Sequence, residues 1–276
     1  MQPAPARRPR LMATDLDGTL LRRDGSLGER TIAAIASWEQ AGGMVVLATG
    51  RPPRWVWDIG AQLGNQGLAV CANGSMVYDL GRQELVSTQT MVAEHATQII
   101  ARLRDEWPAV AFAVETATHL GLEPAWEVNF EPPEGTRFAD VLELIEVPVI
   151  KLLARLDSGP MPDRTVMEAT LARLSQEFDG LTELTWSGGS YLLEMGAVGV
   201  SKAVALDELT RSLGIEVADT IAFGDMPNDV AMLRWAGRGL AVANAHQLAI
   251  DAADEVIASN EEEGVAQYLE TLLTRS

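Results

Sequence analysis

Short apolar runs at both ends of this chain alternate with helical stretches that stop at glycine, and that alternation leaves few architectures open. Near the start, Leu11–Thr14, Met44–Ala48 and Leu68–Ala72 read as buried strands. Between them, helices are predicted over Glu29–Gln40, ended by Gly42 and Gly43, and over Arg54–Leu63, stopped at Gly64. The last quarter repeats the habit: a helix over Ser201–Leu213 closed by Gly214, a strand over Thr220–Phe223 and a helix over Asp229–Ala236. Gly239–Ala243, His246–Ala252, Glu255–Ala258 and Glu263–Leu273 follow as strand, helix, strand, helix. Strands without polar alternation, joined by helices, indicate βαβ units and a parallel sheet covered on both faces. The expected fold class is α/β: two blocks forming halves of one doubly wound, Rossmann-like sheet, with sites at the carboxyl ends of its strands.

The middle breaks this rhythm. Helices are predicted over Val92–Trp107 and Arg164–Phe178, and strands over Val110–Glu115, Val147–Arg155, Leu181–Trp186 and Tyr191–Met195, the last two around Ser187-Gly188-Gly189. This predicts an inserted α+β domain over residues 82–190, leaving 1–81 and 191–276 as the two parts of a core. Glu131-Pro132-Pro133-Glu134-Gly135 is expected to be a surface loop.

Composition narrows the partners. A formal net charge of -18 over 276 residues disfavours nucleic acid and anionic membrane surfaces. No stretch approaches the roughly 20 apolar residues of a membrane span. The single cysteine, Cys71 in an apolar run, excludes an internal disulfide framework and reads as a packed core thiol. With no apolar core in Met1–Arg10 long enough for a signal peptide, a cytoplasmic protein is expected.

Four polar elements stand at predicted strand ends or at a helix start. Asp15-Leu16-Asp17-Gly18-Thr19-Leu20 follows the first strand. In extended backbone, residues i and i+2 point to one side, so both carboxylates are expected to face one pocket, although the run also reads as a solvated turn. Such a pair can ligate a hard cation and still attack phosphorus. Thr49-Gly50-Arg51-Pro52 offers a hydroxyl, an unhindered N–H and a guanidinium to a phosphoryl group, or else a plain strand-to-helix turn. Gly224-Asp225-Met226-Pro227-Asn228-Asp229 puts an acid at another strand tip, where burial demands a partner or a metal; Asp229 also reads as helix-capping chemistry. Lys202 opens a helix at the end where the dipole disfavours a cation, which suits an anion nearby. Asn73-Gly74-Ser75 reads as a hairpin turn.

In this order, the four elements resemble the haloacid dehalogenase superfamily, and the long insertion resembles the cap of its Cof-type sugar-phosphatase branch. Asn73-Gly74, Asn244-Ala245 and Ser259-Asn260-Glu261-Glu262-Glu263-Gly264-Val265 are similar to that branch as well. Ser75 departs from an alanine common after Asn-Gly, and Ala203 from a glycine common after the lysine. The resemblance implies a Mg2+-dependent phosphatase acting on a small phosphorylated molecule, a sugar phosphate or related metabolite, through an aspartyl-phosphate. Asp15 would be the nucleophile and Asp17 the general acid/base. Thr49 and Lys202 would hold the phosphoryl group. Asp225 would complete the metal site with the Asp15 carboxylate and the Asp17 carbonyl. Asn228 would contact phosphate or substrate, with Asp229 one layer behind. A phosphomutase of the same superfamily and a non-catalytic binding protein on the same scaffold are the alternatives. The sequence assigns no substrate-selecting cap residue, His119, Trp126, Glu127 and Tyr191 being only polar or aromatic candidates, and it is silent on oligomeric state.

Overall fold

A computed structural model describes residues 8–64, 67–156, 164–186 and 192–274. In chain order its strands begin with β1 (Leu11–Thr14), β2 (Met44–Ala48), β3 (Leu68–Cys71), β4 (Met76–Asp79) and β5 (Glu84–Thr88). Then come β6 (Ala111–Glu115), β7 (Leu120–Leu122), β8 (Arg137–Phe138), β9 (Lys151–Arg155), β10 (Glu183–Thr185) and β11 (Leu192–Gly196). The series closes with β12 (Thr220–Gly224), β13 (Arg238–Val242) and β14 (Glu255–Ile257). The helices are α1 (Glu29–Gln40), α2 (Trp57–Gln62), α3 (Ala93–Glu106), α4 (Val141–Leu144) and α5 (Arg164–Glu177), followed by α6 (Lys202–Ser212), α7 (Val230–Trp235), α8 (Gln247–Ile250) and α9 (Gly264–Thr274). The chain divides into two compact units: residues up to Val86 with Ser201 onward, and Ser87–Val200.

The first unit holds an eight-stranded sheet ordered β14-β13-β12-β1-β2-β3-β4-β5. From β14 through β3 every pairing is parallel, and β4 returns antiparallel to β3. β1 is buried along its whole length. Its Leu11 and Ala13 pack with Val46, Ala48 and Ala222 on the face covered by Leu206, Leu209, Met232 and Leu233 of α6 and α7. The opposite face carries Phe223 edge-on to Tyr268 of α9, their centroids 5.7 Å apart, and α9 packs against α1. This is the expected doubly wound α/β sheet. The winding changes direction between β1 and β12, so the loops after these neighbouring strands flank the crevice where such sheets bind ligands.

The second unit holds a six-stranded sheet ordered β10-β11-β9-β6-β7-β8, antiparallel except between β7 and β8. Ala96, Ile99, Ile100 and Leu103 of α3, one helical stripe, pack with Met167 and Leu174 of α5 onto Phe112, Val114, Leu152 and Leu193. The other face buries Ala111, Ala113, Leu120, Leu122 and Trp126, with the Arg155 guanidinium 4.4 Å over the indole. Trp126 is thus a packing residue, and the Glu127 carbonyl accepts from Arg155 at 2.8 Å. His119 is held by hydroxyls of Thr116 and Thr118. Tyr191 and Ser187-Gly188-Gly189 lie outside the described residues.

Some elements differ from expectation. The helix predicted over Arg54–Leu63 is a 3-10 turn, Pro53–Trp55, followed by the short α2, the two meeting at Val56, whose φ of -107 lies off the helical value. β4, β5, β7, β8 and α4 were not expected; all have five residues or fewer. Among the described residues, no helix is long and apolar enough to cross a membrane.

Candidate active site

Buried strand tips supply the charges. Asp15 follows β1, and its N–H donates to the Phe223 carbonyl of β12 at 2.9 Å, which pins the two tips together. Asp225 follows β12, and Thr19 donates its hydroxyl to the Asp225 carboxylate at 2.8 Å. Gly18 has φ +80 and lies so near Asp225 that a side chain there would strike the carboxylate. Only glycine fits that turn. Asp229 closes the 3-10 turn Pro227–Asp229, and its Oδ2 accepts from the N–H groups of Asp225 and Met226 at 3.1 and 3.0 Å.

Lys202 joins these acids. Ser201 caps α6, and Lys202 in its first turn runs fully buried to Asp15 Oδ1 at 2.6 Å and Asp229 Oδ1 at 2.7 Å. The anion expected beside this lysine is therefore a pair of the chain's own carboxylates. Gly74 makes the placement possible: its φ is +110, and a Cβ would collide with the Ser201 carbonyl at the start of α6.

Carboxylate oxygens of Asp15, Asp225 and Asp229 lie within 4.8 Å of one another, all three residues buried. One ammonium faces three acids. Burial raises the Asp15 carboxyl well above its ordinary range; Lys202 pulls it down, while Asp229 and Asp225 push it further up. Burial, then the Asp229 charge, raises Asp225 to about 7 against the opposing pull of Thr19 and Lys202. Burial pulls the Lys202 ammonium down, but Asp15 and Asp229 outweigh it and its net shift is upward. The surplus of negative charge, in hard oxygen donors with no sulfur or imidazole, suits a divalent cation such as Mg2+. Lys202 takes one oxygen of Asp15 and Thr19 one of Asp225, so each keeps a second oxygen for a ligand. Asp229 has both oxygens engaged and acts as a brace.

Asp17 lies outside the buried group of three acids, although its charge is near enough to add to the upward push on Asp225. Its side chain is 58% exposed and paired with Arg51, Nε to Oδ2 at 2.8 Å and Nη2 to Oδ1 at 2.5 Å. β1 ends at Thr14 and the backbone turns at once, with Thr19, Leu20 and Leu21 all donating to the Leu16 carbonyl, so strand alternation does not reach Asp17. Period-two alternation does not survive a turn. Arg51, expected to face a phosphate, is here committed to Asp17 and to the Trp55 carbonyl at 3.3 Å. Thr49 is buried at the end of β2; its hydroxyl accepts from the Arg51 N–H at 3.1 Å and keeps its own proton to donate. Gly50 lies between them, half-buried.

Asn228 donates its amide to Asn73 Oδ1 at 3.1 Å, while its own buried Oδ1 has no hydrogen-bond partner among the described residues. Asn73 does lie in a turn between antiparallel strands, β3 and β4, and also reaches this site. Thr19 is a further site residue, and its signal in the sequence is a hydroxyl within the same motif as the two acids.

Comparison with known proteins agrees with this chemistry. The sequence model of the haloacid dehalogenase-like hydrolases matches residues 12–269. A Serratia proteamaculans protein named HMP-PP phosphatase is 32% identical over 271 residues, covering 95% of this chain and 94% of the relative. A Yersinia pseudotuberculosis protein of the same name is 30% identical over 266 residues, 94% of each chain. A solved haloacid dehalogenase-like hydrolase from B. subtilis is 26% identical, with a TM-score of 0.80 across 95% of this chain and 99% of its own. Buried acids at the switch point of a doubly wound sheet, in a chain matched across nearly its whole length, make this protein a haloacid dehalogenase-like hydrolase and a phosphatase among them.

Proposed function

We propose that the chain is a Mg2+-dependent phosphatase that hydrolyses a small phosphorylated metabolite through an aspartyl-phosphate on Asp15. The observation that carries this reading is the hold of Lys202 on one Asp15 oxygen at 2.6 Å, which leaves the other oxygen available as a nucleophile. That oxygen attacks phosphorus, and the bond from phosphorus to the leaving oxygen breaks. Asp17 gives its proton to the departing alkoxide. It then takes a proton from water, whose oxygen attacks the phosphorus, breaks the Asp15 oxygen–phosphorus bond and frees inorganic phosphate. Asp17 can serve only after Arg51 releases it, so binding and acid catalysis are linked through that pair. Thr49 and Lys202 hold phosphoryl oxygens, with Gly50, Arg51 and Asn228 completing the cradle. Asp15, Asp225 and the Asp17 carbonyl would hold Mg2+, which supplies charge against the phosphoryl oxygens. Residues 82–190, on this reading, form a cap that selects the leaving group.

HMP-PP, from the names of the Serratia and Yersinia relatives, joins sugar phosphates as the first compounds to test. Phosphate release from that panel identifies the substrate. Borohydride quenching during turnover then tests the intermediate, because it reduces an acyl phosphate to an alcohol and converts that aspartate to homoserine. Homoserine at position 15 alone is expected, with neither adduct nor turnover in Asp15→Asn. Turnover in Asp15→Asn, with the parent unmodified, would favour direct attack by water.

A further inference from the structure

Behind the acid loop lies a chain of hydrogen bonds that the reaction above does not use. Asn244, in the turn after β13, donates its amide to the Gly18 carbonyl at 2.7 Å. Its Oδ1 accepts from the Asn260 N–H at 3.0 Å. Asn260, buried in the loop after β14, donates its amide to the Leu21 carbonyl at 2.8 Å. The same turn after β13 sends the His246 N–H to the Asp225 carbonyl at 2.7 Å. Further along, Glu261 accepts from the Arg23 N–H at 2.7 Å and Glu263 from the Thr31 N–H at 2.8 Å.

The two carbonyls that are held both belong to the turn that follows Asp17. Gly18 follows it directly, and Leu21 is its partner in an isolated β-bridge. Among the described residues the side chain of Asp17 is tethered by the Arg51 pair, and that tether has to open for Asp17 to meet a substrate. Once it opens, the position of Asp17 depends on its main chain, and the main chain is fixed from behind by Asn244 and Asn260.

We infer that Asn244 and Asn260 form a clamp that positions Asp17 for acid–base catalysis, acting on the Gly18 and Leu21 carbonyls and not on the substrate. This rests on the reading of Asp17 as acid and base. Two amides suit the task because each offers a donor and an acceptor from one short side chain, so a single residue can hold a carbonyl and its neighbour in the clamp together. Displacing a reacting group by about 1 Å can cost on the order of a hundredfold in rate.

The test uses the full chain with p-nitrophenyl phosphate and Mg2+. Asn244 is exposed, so Asn244→Ala is expected to fold, with a thermal midpoint lowered by only about 2–4 °C for the lost hydrogen bonds, while losing about tenfold to a hundredfold in kcat at an unchanged KM. In an Asp17→Asn background, whose residual turnover no longer uses the carboxylate, the same substitution should change kcat less than about twofold, the signature of residues acting as one unit. Asn244→Asp keeps the acceptor for Asn260 but loses the donor to Gly18, and should match Asn244→Ala. Unchanged kcat in Asn244→Ala, or an equal loss in both backgrounds, would overturn the clamp. Full activity in Asp17→Asn alone would instead overturn the underlying reading of the reaction.

Discussion

Removing one charge from the acid cluster should make the metal-free protein more stable and blind to metal. Asp225 has a folded-state value of about 7 against an unfolded value near 4, so ionising it in the fold costs about 4 kcal/mol more than in the unfolded chain. Asp225→Asn removes that charge while leaving an oxygen for Thr19 and presenting its amide to carboxylates. In chelator at pH 8, the variant is expected to exceed the parent by about 1 to 4 kcal/mol, the lower figures allowing for relaxation of the parent site. The pH dependence has a definite sign. Between about pH 4 and pH 7 the folded parent keeps a proton on Asp225 that the unfolded chain has released, so stability falls as pH rises through that window. The variant's advantage should therefore vanish below about pH 4, reach about a third of its full size near pH 5 and be complete above pH 7. Adding Mg2+ at a hundredfold excess over its dissociation constant should give the parent about 2.7 kcal/mol and the variant nothing. Urea unfolding followed by tryptophan fluorescence, with and without chelator at three pH values, reads all of these. A variant less stable than the parent in chelator at pH 8, or one that retains the Mg2+ shift, would refute the reasoning.

Other expectations follow from single contacts. Chelation should abolish phosphate release, and Mg2+ should restore it; full activity in metal-free enzyme would exclude the proposed site. Lys202→Met leaves Asp15 and Asp229 facing each other without a cation, and should cost about 3–5 kcal/mol in urea unfolding together with nearly all turnover. Gly74→Ala drives a methyl against the Ser201 carbonyl at a φ of +110, shifting the start of α6, and should lower kcat through Lys202 and stability by about 1–3 kcal/mol.

Local pattern was legible; geometry that depends on distant partners was not. β1, α1 and β2 were readable residue by residue, since each is an unbroken apolar run or an amphipathic helix with a glycine stop. β5 is exposed along its whole length, and β8 has two residues, so neither leaves a hydrophobic trace. Asp15, Asp225, Asp229 and Lys202 could be singled out as residues, but not the bond from Lys202 to Asp15, which spans 187 positions. The diversion of Asp17 to Arg51 depends on turn geometry beyond the strand, where side-chain periodicity carries no information. Asn244 and Asn260 were noticed only as a resemblance, because a hydrogen bond to a carbonyl more than two hundred positions away has no local signature.

The order of strands in the first unit has a consequence for synthesis. β1 leaves the ribosome early, but its neighbour β12 is translated only after the whole Ser87–Val200 unit. The second unit is contiguous and contains all its own sheet partners, so it can fold as it emerges. The first half of the core must wait with one flank of β1 unpaired, an apolar edge open to association with other chains. The contact from Thr19 to Asp225, 206 positions apart, must wait for β12, and that from Leu21 to Asn260, 239 positions apart, for the segment after β14. Slow pairing of this kind raises the kinetic barrier to folding and makes the nascent chain, more than the finished enzyme, the stage most dependent on chaperones.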